Sequence, residues 1–463
     1  MMEYRIESDS IGEVKVPRNA LWGAQTERSR QNFTAGGFMP LAVIRSLIEL
    51  KRAAAFANTE LANLSTDRSA AIVLAADELL NLPDVELREH FPLKVYQTGS
   101  GTQTNMNVNE VIAHLGKMRT DTALSPNDDV NRAQSSNDFF PAAMHIAAGR
   151  AVAELSAAVE ELIHALREKE TYYWNTLKLG RTHLQDATPL TFGQEISGWI
   201  AALKHDLHLL QEAAQTLQEL PVGGTAVGTG LNAPAGFAEA VVAQLNQQND
   251  RPFTVMENKF FGLASHAPLI ATHGMIKTLA SDLYKIGSDL RFLASGPRGG
   301  YGELTLPANE PGSSIMPGKV NPTQIEALNM ACLKTIGNDT ALAIANSQGN
   351  FELNVAKPLI IDAFLESCAL LRETIGQLSK KSIAGLVADK EKMLVKLENS
   401  LMGVTALVPH IGYEKAAKIA QDALKNQQDL KSAALKSGLL SEKQFDQWVD
   451  YFQMTNLDRS RIE

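Results

Sequence analysis

Between residues 152 and 166 apolar side chains recur by threes and fours, at Val152, Leu155, Val159, Leu162 and Leu166, while Arg150, Glu154, Glu160, Glu161 and Arg167 occupy the other faces. That is the period of an amphipathic helix. The pattern returns at Ile196, Ile200, Leu203, Leu207, Leu210, Ala214 and Leu217, again at Ile276, Leu279, Leu283, Ile286, Leu290 and Leu293, and a fourth time at Ile361, Phe364, Cys368, Leu371 and Ile375. Stripes of this length, separated by Gly- and Pro-rich connectors, predict a mainly α protein built on a bundle of long helices. Their Leu, Ile and Met side chains read as core and bind nothing.

The flanks differ from this centre. Residues 1–135 read as a mixed, mostly helical N-terminal domain, with short strands at Tyr4–Ile6 and Val14–Val16 and helices near 41–62 and 69–80. Residues 136–388 form the long-helix bundle. Residues 389–463, rich in Lys and Gln, read as a small helical C-terminal domain in which Tyr413–Asn426 and Ser441–Phe452 alternate apolar and charged faces. The 463-residue length suits about three domains.

Composition narrows the chemistry. Two cysteines, Cys332 and Cys368, imply no disulfide framework, leave a single pair open, and are too few for a thiolate-held iron-sulfur cluster. A formal charge of -9, without any basic cluster interleaved with aromatics, gives nucleic acid no reason to bind. The same charge repels an anionic substrate on average, so attraction must come from donors concentrated in one site. Charged residues at Glu3, Arg5, Glu7 and Asp9 replace the apolar run of a signal peptide, and no later segment is apolar enough to span a membrane. A cytoplasmic protein is expected.

Small polar residues crowd four connectors. The first, Gln97 to Asn107, offers Thr98, Ser100, Thr102, Gln103, Thr104 and Asn105, with Gly99 and Gly101 allowing the backbone close to a ligand. The second, Ser135-Ser136-Asn137-Asp138, opens a long helix. Taken alone it is an N-cap, but the same free N–H groups and positive potential suit a carboxylate. In the third, Gly180 to Asp186, His183 sits in a polar loop rather than on an apolar stripe, where most structural histidines lie. The fourth runs Gly312-Ser313-Ser314-Ile315-Met316-Pro317-Gly318-Lys319-Val320-Asn321, with Glu326 five residues on.

This fourth run is not a phosphate-binding loop, because Gly312 and Gly318 are wrongly spaced and Val320 replaces the Ser or Thr that would reach magnesium. Nor is Gly223 to Gly230 a dinucleotide fingerprint, since it follows a helix and lacks the preceding strand. His205 and His208 share a helix face without a third ligand, which leaves no metal site expected.

Taken in order, the four connectors resemble one family, the class II fumarases of the fumarase/aspartase superfamily of lyases, and the resemblance spans nearly the whole chain. Aspartases, which are close, typically carry Gln in place of His183, Thr in place of Ser136, and Gly-Gly-Ala-Gly-Thr where Thr98-Gly99-Ser100-Gly101-Thr102 stands. The resemblance implies reversible, cofactor-free and metal-independent hydration of fumarate to (S)-malate, as in the tricarboxylic acid cycle. It assigns Ser313, on a mobile loop, the proton on the carbon next to a carboxylate, and His183, paired with Glu326, the water. Backbone N–H groups of the Gly-Ser-Ser loop and the Lys319 ammonium would stabilise the serine alkoxide. The charge of the resulting aci-carboxylate would meet Lys319 and Asn321. Ser100, Gly101, Thr102, Ser135, Ser136, Asn137, Thr182, Ser314 and Val320 would complete the substrate cradle, with hydroxyls and amides holding charge without titrating.

The family builds each site from three subunits, implying an obligate homotetramer with a twenty-helix core. One position departs from the family pattern. Where relatives carry His-Pro-Asn-Asp at a secondary anion site, this chain has Ser125-Pro126-Asn127-Asp128, which predicts a weakened or absent second dicarboxylate site. Two other readings are an aspartate ammonia-lyase, disfavoured by His183 and Ser136, and a catalytically silent helical scaffold, disfavoured because every expected position is filled.

Overall fold

The computed structural model describes residues 3–247 and 252–457. Among the described residues helix dominates, at 63%, and strands occur only as two-stranded pairs. The chain divides into two compact units, one made of Met1–Ser156, Leu207–Ala280 and Leu333–Arg372, the other of Ala157–Asp206, Ser281–Cys332 and Glu373–Glu463.

In the first unit β1 (Tyr4–Asp9) and β2 (Gly12–Pro17) pair antiparallel, extending both predicted strands into one hairpin. Helices α1 (Ala24–Asn32), α2 (Leu41–Glu60), α3 (Thr66–Asn81), α4 (Asp84–His90) and α5 (Thr102–Thr120) follow. α2 packs on α3, and both pack on α5, burying Val43, Ile44, Leu47, Ile48 and Leu50 from α2. The start of α1 has no side-chain cap of its own. Glu110 of α5 supplies one, accepting the backbone N–H groups of Gly23, Gln25 and Thr26 at 2.9, 2.8 and 3.1 Å.

Beyond these come α6 (Ser136–Tyr172), the hairpin β3 (Leu177–Thr182) and β4 (Gln185–Thr191), α7 (Phe192–Ala214), α8 (Phe237–Asn246), α9 (Lys259–Ala264), α10 (Ala267–Leu293), α11 (Thr323–Asn346) and α12 (Lys357–Leu378). Every residue of the four predicted stripes is buried. The second stripe overruns its helix, because α7 ends at Ala214 and Leu217 enters the core from a tight turn. The periodic pattern did not disclose α11. Its inner face buries Ile325, Leu328 and Leu342, but its outer face exposes Met330, Leu333 and Ile344, so no single apolar stripe stands out.

The second unit includes the β3/β4 hairpin, with α13 (Lys390–Asn399) packed on β3. After α13 come α14 (Val408–Ile411), α15 (Tyr413–Lys425), α16 (Leu430–Lys436) and α17 (Glu442–Trp448). These close on Leu407, Ala416, Ile419, Ala423, Leu430, Ala434 and Phe445. Ser441 and Gln444 start α17 with a reciprocal capping box. Both cysteines are free and buried. Among the described residues no helix is long and apolar enough to cross a membrane.

Candidate active site

The four polar connectors fall two to each unit. In the first unit Gln97 to Gly101 leads into α5, and Ser135 opens α6. Ser135 is an N-cap, as its sequence suggests: its Oγ accepts the Asn137 N–H at 3.1 Å, and Asp138 reaches back to the Ser135 N–H at 2.9 Å. The cap leaves Ser136 free to face the other connector. Its Oγ lies 2.7 Å from Thr102 Oγ1, which lies 2.7 Å from Ser100 Oγ. Three hydroxyls from two chain segments thus form one polar row, with Asn137 beside it donating to the Ala226 carbonyl at 2.7 Å.

The two glycines of the first connector approach protein. A Cβ on Gly99 would stand 1.4 Å from the Val355 carbonyl oxygen, and one on Gly101, whose φ is +80°, would meet the Phe140 ring at 2.4 Å. Each glycine lets the hydroxyl row pack flat on its support. Asp138 anchors that support by also accepting the Gly223 N–H at 3.0 Å, and burial raises its pKa to about 6.

In the second unit His183 and Leu184 are the two residues of the β3/β4 turn, with Thr182 opposite Gln185. Both have positive φ, +56° and +59°. Two-residue turns of this kind favour Asn and Gly, so a His-Leu pair stores backbone strain of about 1–3 kcal/mol per residue. The strain holds the imidazole at an exposed tip, where among the described residues it makes no hydrogen bond. Two residues back, the Arg181 guanidinium is hydrogen-bonded to the fully buried Glu303 carboxylate and lies 4.5 Å over the Tyr301 ring. Lys178 and Lys396 stand 3.8 and 3.6 Å from the same carboxylate.

The Gly312–Asn321 run is a closed loop. Gly312 N–H donates to the Lys319 carbonyl at 2.8 Å, and Asn321 Nδ2 to the Gly312 carbonyl at 2.6 Å. Inside it, Ser313 Oγ accepts the backbone N–H groups of Met316 at 3.0 Å and Ile315 at 3.3 Å. Such donors hold a hydroxyl oxygen in a turn, and they also favour its deprotonated form. Lys319 Nζ donates to Asn321 Oδ1 at 2.6 Å rather than to Ser313. Lys319, Val320, Asn321 and Glu326 line a cavity of about 610 Å³. Glu326 lies 4.0 Å from Arg291, another wall residue, and within one chain makes no hydrogen bond to His183 among the described residues.

The sequence pattern did not mark Arg291 or Glu303, and gave Arg181 no role within its connector, because single charged residues carry no motif. It also passed over a Ser-His-Asp arrangement. His273 Nε2 is 2.9 Å from Ser367 Oγ, and its Nδ1 is 3.0 Å from Asp339 Oδ1. That trio is no nucleophilic site. Ser367 and His273 are fully buried, and the Ser367 hydroxyl has the Ala363 carbonyl one turn back as an acceptor at 2.9 Å.

Comparison with known proteins identifies the family. Residues 12–337 match the family model described as lyase, and residues 404–456 that described as fumarase C C-terminus. The class II fumarate hydratase of Listeria monocytogenes serotype 4b (strain F2365) is 52% identical over 456 residues, covering 98% of this chain and 100% of that one. That of Bacillus subtilis (strain 168) is 51% identical over 455 residues, covering 97% and 98%. The crystal structure of recombinant class II fumarase from Schistosoma mansoni superposes with a TM-score of 0.95 at 40% identity, over 98% of this chain and 99% of that one. The chain therefore belongs to the lyase family, as a member of its class II fumarate hydratase branch.

Proposed function

We propose that this chain adds water reversibly to fumarate to give (S)-malate. The observation that carries the reading is the Ser313 turn, where two backbone N–H groups converge on one hydroxyl oxygen. In the malate-to-fumarate direction Ser313, as alkoxide, takes the proton from the carbon beside a carboxylate. The electrons move onto that carboxylate as an aci-carboxylate, which Lys319 and Asn321 stabilise more strongly than the ground state. The carbon–hydroxyl bond then breaks as His183 protonates the leaving oxygen, and hydration reverses each step. Uncharged groups, Ser100, Thr102, Ser135, Ser136, Asn137 and Thr182, hold the second carboxylate, with Gly101, Ser314 and Val320 shaping the wall.

The reading includes a homotetramer with sites shared by three subunits, and Glu326 paired with the His183 of another chain. Met330, Leu333, Gly337, Thr340 and Ile344, exposed and spaced 3-4-3-4 along α11, support it as a coiled-coil seam without a partner in one protomer. It also includes the division at residues 135 and 388, and a cytoplasmic location, which two free thiols suit. At the secondary position Ser125 Oγ accepts the Asp128 N–H and donates to its carboxylate, both at 3.0 Å. A hydroxyl so engaged supports a weakened second dicarboxylate site, which strong dicarboxylate density beside Ser125 would refute.

Subunit mixing tests the shared site. Ser313→Ala and His183→Asn chains, each inactive alone, should regain fumarate hydration when assembled into hybrid tetramers. Verified hybrids that stay inactive would show that both groups come from one chain.

A further inference from the structure

Lys51, in the middle of α2, is fully buried. Its ammonium donates to Asn131 Oδ1 at 2.9 Å and to Gln134 Oε1 at 2.8 Å, and stands 5.0 Å from the centre of the Phe139 ring. Both acceptors are uncharged, so the ammonium is buried with no carboxylate in contact, an arrangement that ordinarily destabilises a fold.

The placement of these acceptors supplies a reason. Gln134 directly precedes Ser135, and Phe139 lies in the first turn of α6. Asn131 Oδ1 also accepts from Asn105 and Asn109 of α5, each at 3.1 Å, while Asn131 Nδ2 donates to the Gln134 carbonyl at 3.1 Å. The network therefore joins α2, the helix that begins at Thr102, and the segment that delivers Ser136. The last two carry Thr102 and Ser136 of the hydroxyl row, which holds no charge of its own, and α2 brings the ammonium to them through Asn131 and Gln134.

We propose that Lys51 is a positioning residue for dicarboxylate binding: through Asn131 and Gln134 it fixes the Gln134–Asn137 segment and supplies the positive charge that the Ser100–Thr102–Ser136 row lacks. The inference rests on the fumarate reading and deepens it. Burial pulls the Lys51 pKa down to about 7, opposed by Asp138, the charged group that acts on it. The ammonium favours a bound dianion when protonated, so affinity falls as pH rises through this value.

Steady-state kinetics of full-length Lys51→Met and Lys51→Gln with fumarate, between about pH 6 and about pH 9, test this. At the acid end both variants should show a KM raised roughly tenfold with kcat nearly unchanged, as expected for a unit charge acting across a buried site. The rise of KM with pH in the native protein should flatten in both. A purely structural lysine would leave that pH dependence in place. Native KM and pH dependence in Lys51→Met would overturn the proposal. So would native behaviour in Lys51→Gln, which keeps hydrogen-bonding capacity without the charge and decides the matter if the Met variant does not fold. Absence of turnover in the native protein would sink the hydration reading itself, whereas native turnover with unchanged variants would sink the Lys51 assignment alone.

Discussion

Replacing Glu303 by Gln should loosen the hairpin that carries His183. The carboxylate is fully buried and faces three cations, bonded to Arg181 and within 3.8 and 3.6 Å of Lys178 and Lys396. Gln keeps its shape and removes its charge. Lys178 retains Glu195 at 2.7 Å, but Arg181, with a side chain 13% exposed, loses its carboxylate. Removing one partner of a buried pair costs about 3–5 kcal/mol. Because Lys396 is partly solvated, the lower end applies, and about 3 kcal/mol is a little over a hundredfold in a local opening equilibrium. Hydrogen exchange of the amides from 177 to 191 should therefore quicken by about that factor. The imidazole lies two residues from Arg181 at the hairpin tip, so kcat should fall by about a hundredfold, as a displacement near 1 Å would cause. Adding Arg181→Gln should recover part of the protection by removing the stranded charge. Native exchange and native kcat in Glu303→Gln would refute the reasoning.

Ser313→Ala should lower kcat by about three orders of magnitude without changing thermal melting, and near-native turnover would remove Ser313 from the chemistry. Asp206 is buried and its pKa raised to about 7, first by burial and then by the Asp282 carboxylate. The folded state thus holds its proton more tightly than the unfolded chain. That contribution is full below the ordinary value of 3.8 and is lost as pH rises through about 7. Asp206→Asn should flatten this decline in denaturant midpoints, and parallel native and variant curves would contradict it. Gly99→Ala puts a Cβ 1.4 Å from a backbone oxygen and should destabilise the chain by several kcal/mol, whereas unchanged melting would show that the connector yields.

How far the sequence could be read follows from what each element buries. The heptad stripes have one apolar face, so their period marks them, and each stripe residue is buried. α5 gives no such mark because Asn105, Asn107, Asn109 and Glu110 are themselves buried in polar networks. β3 hides for another reason. Lys178 lies inward on an ion pair with Glu195, and Gly180 sits at an irregularity in the register, which breaks the alternation expected of a strand. The site connectors were legible as clusters of small polar residues. Of the groups that brace them, Asp138 and Arg181 stood inside the connectors but without a legible role, and Lys51 and Glu303 were not marked at all, because each is one charged residue on an ordinary segment. Only the fold brings it against a partner tens of residues away.

The most direct test of the account is to incubate the purified protein with fumarate and a chelator, without added metal, and follow the ultraviolet absorbance of the double bond. Rapid loss of absorbance with malate as product is the predicted result. No loss, with fumarate and ammonia appearing instead from aspartate, would contradict the hydration reading.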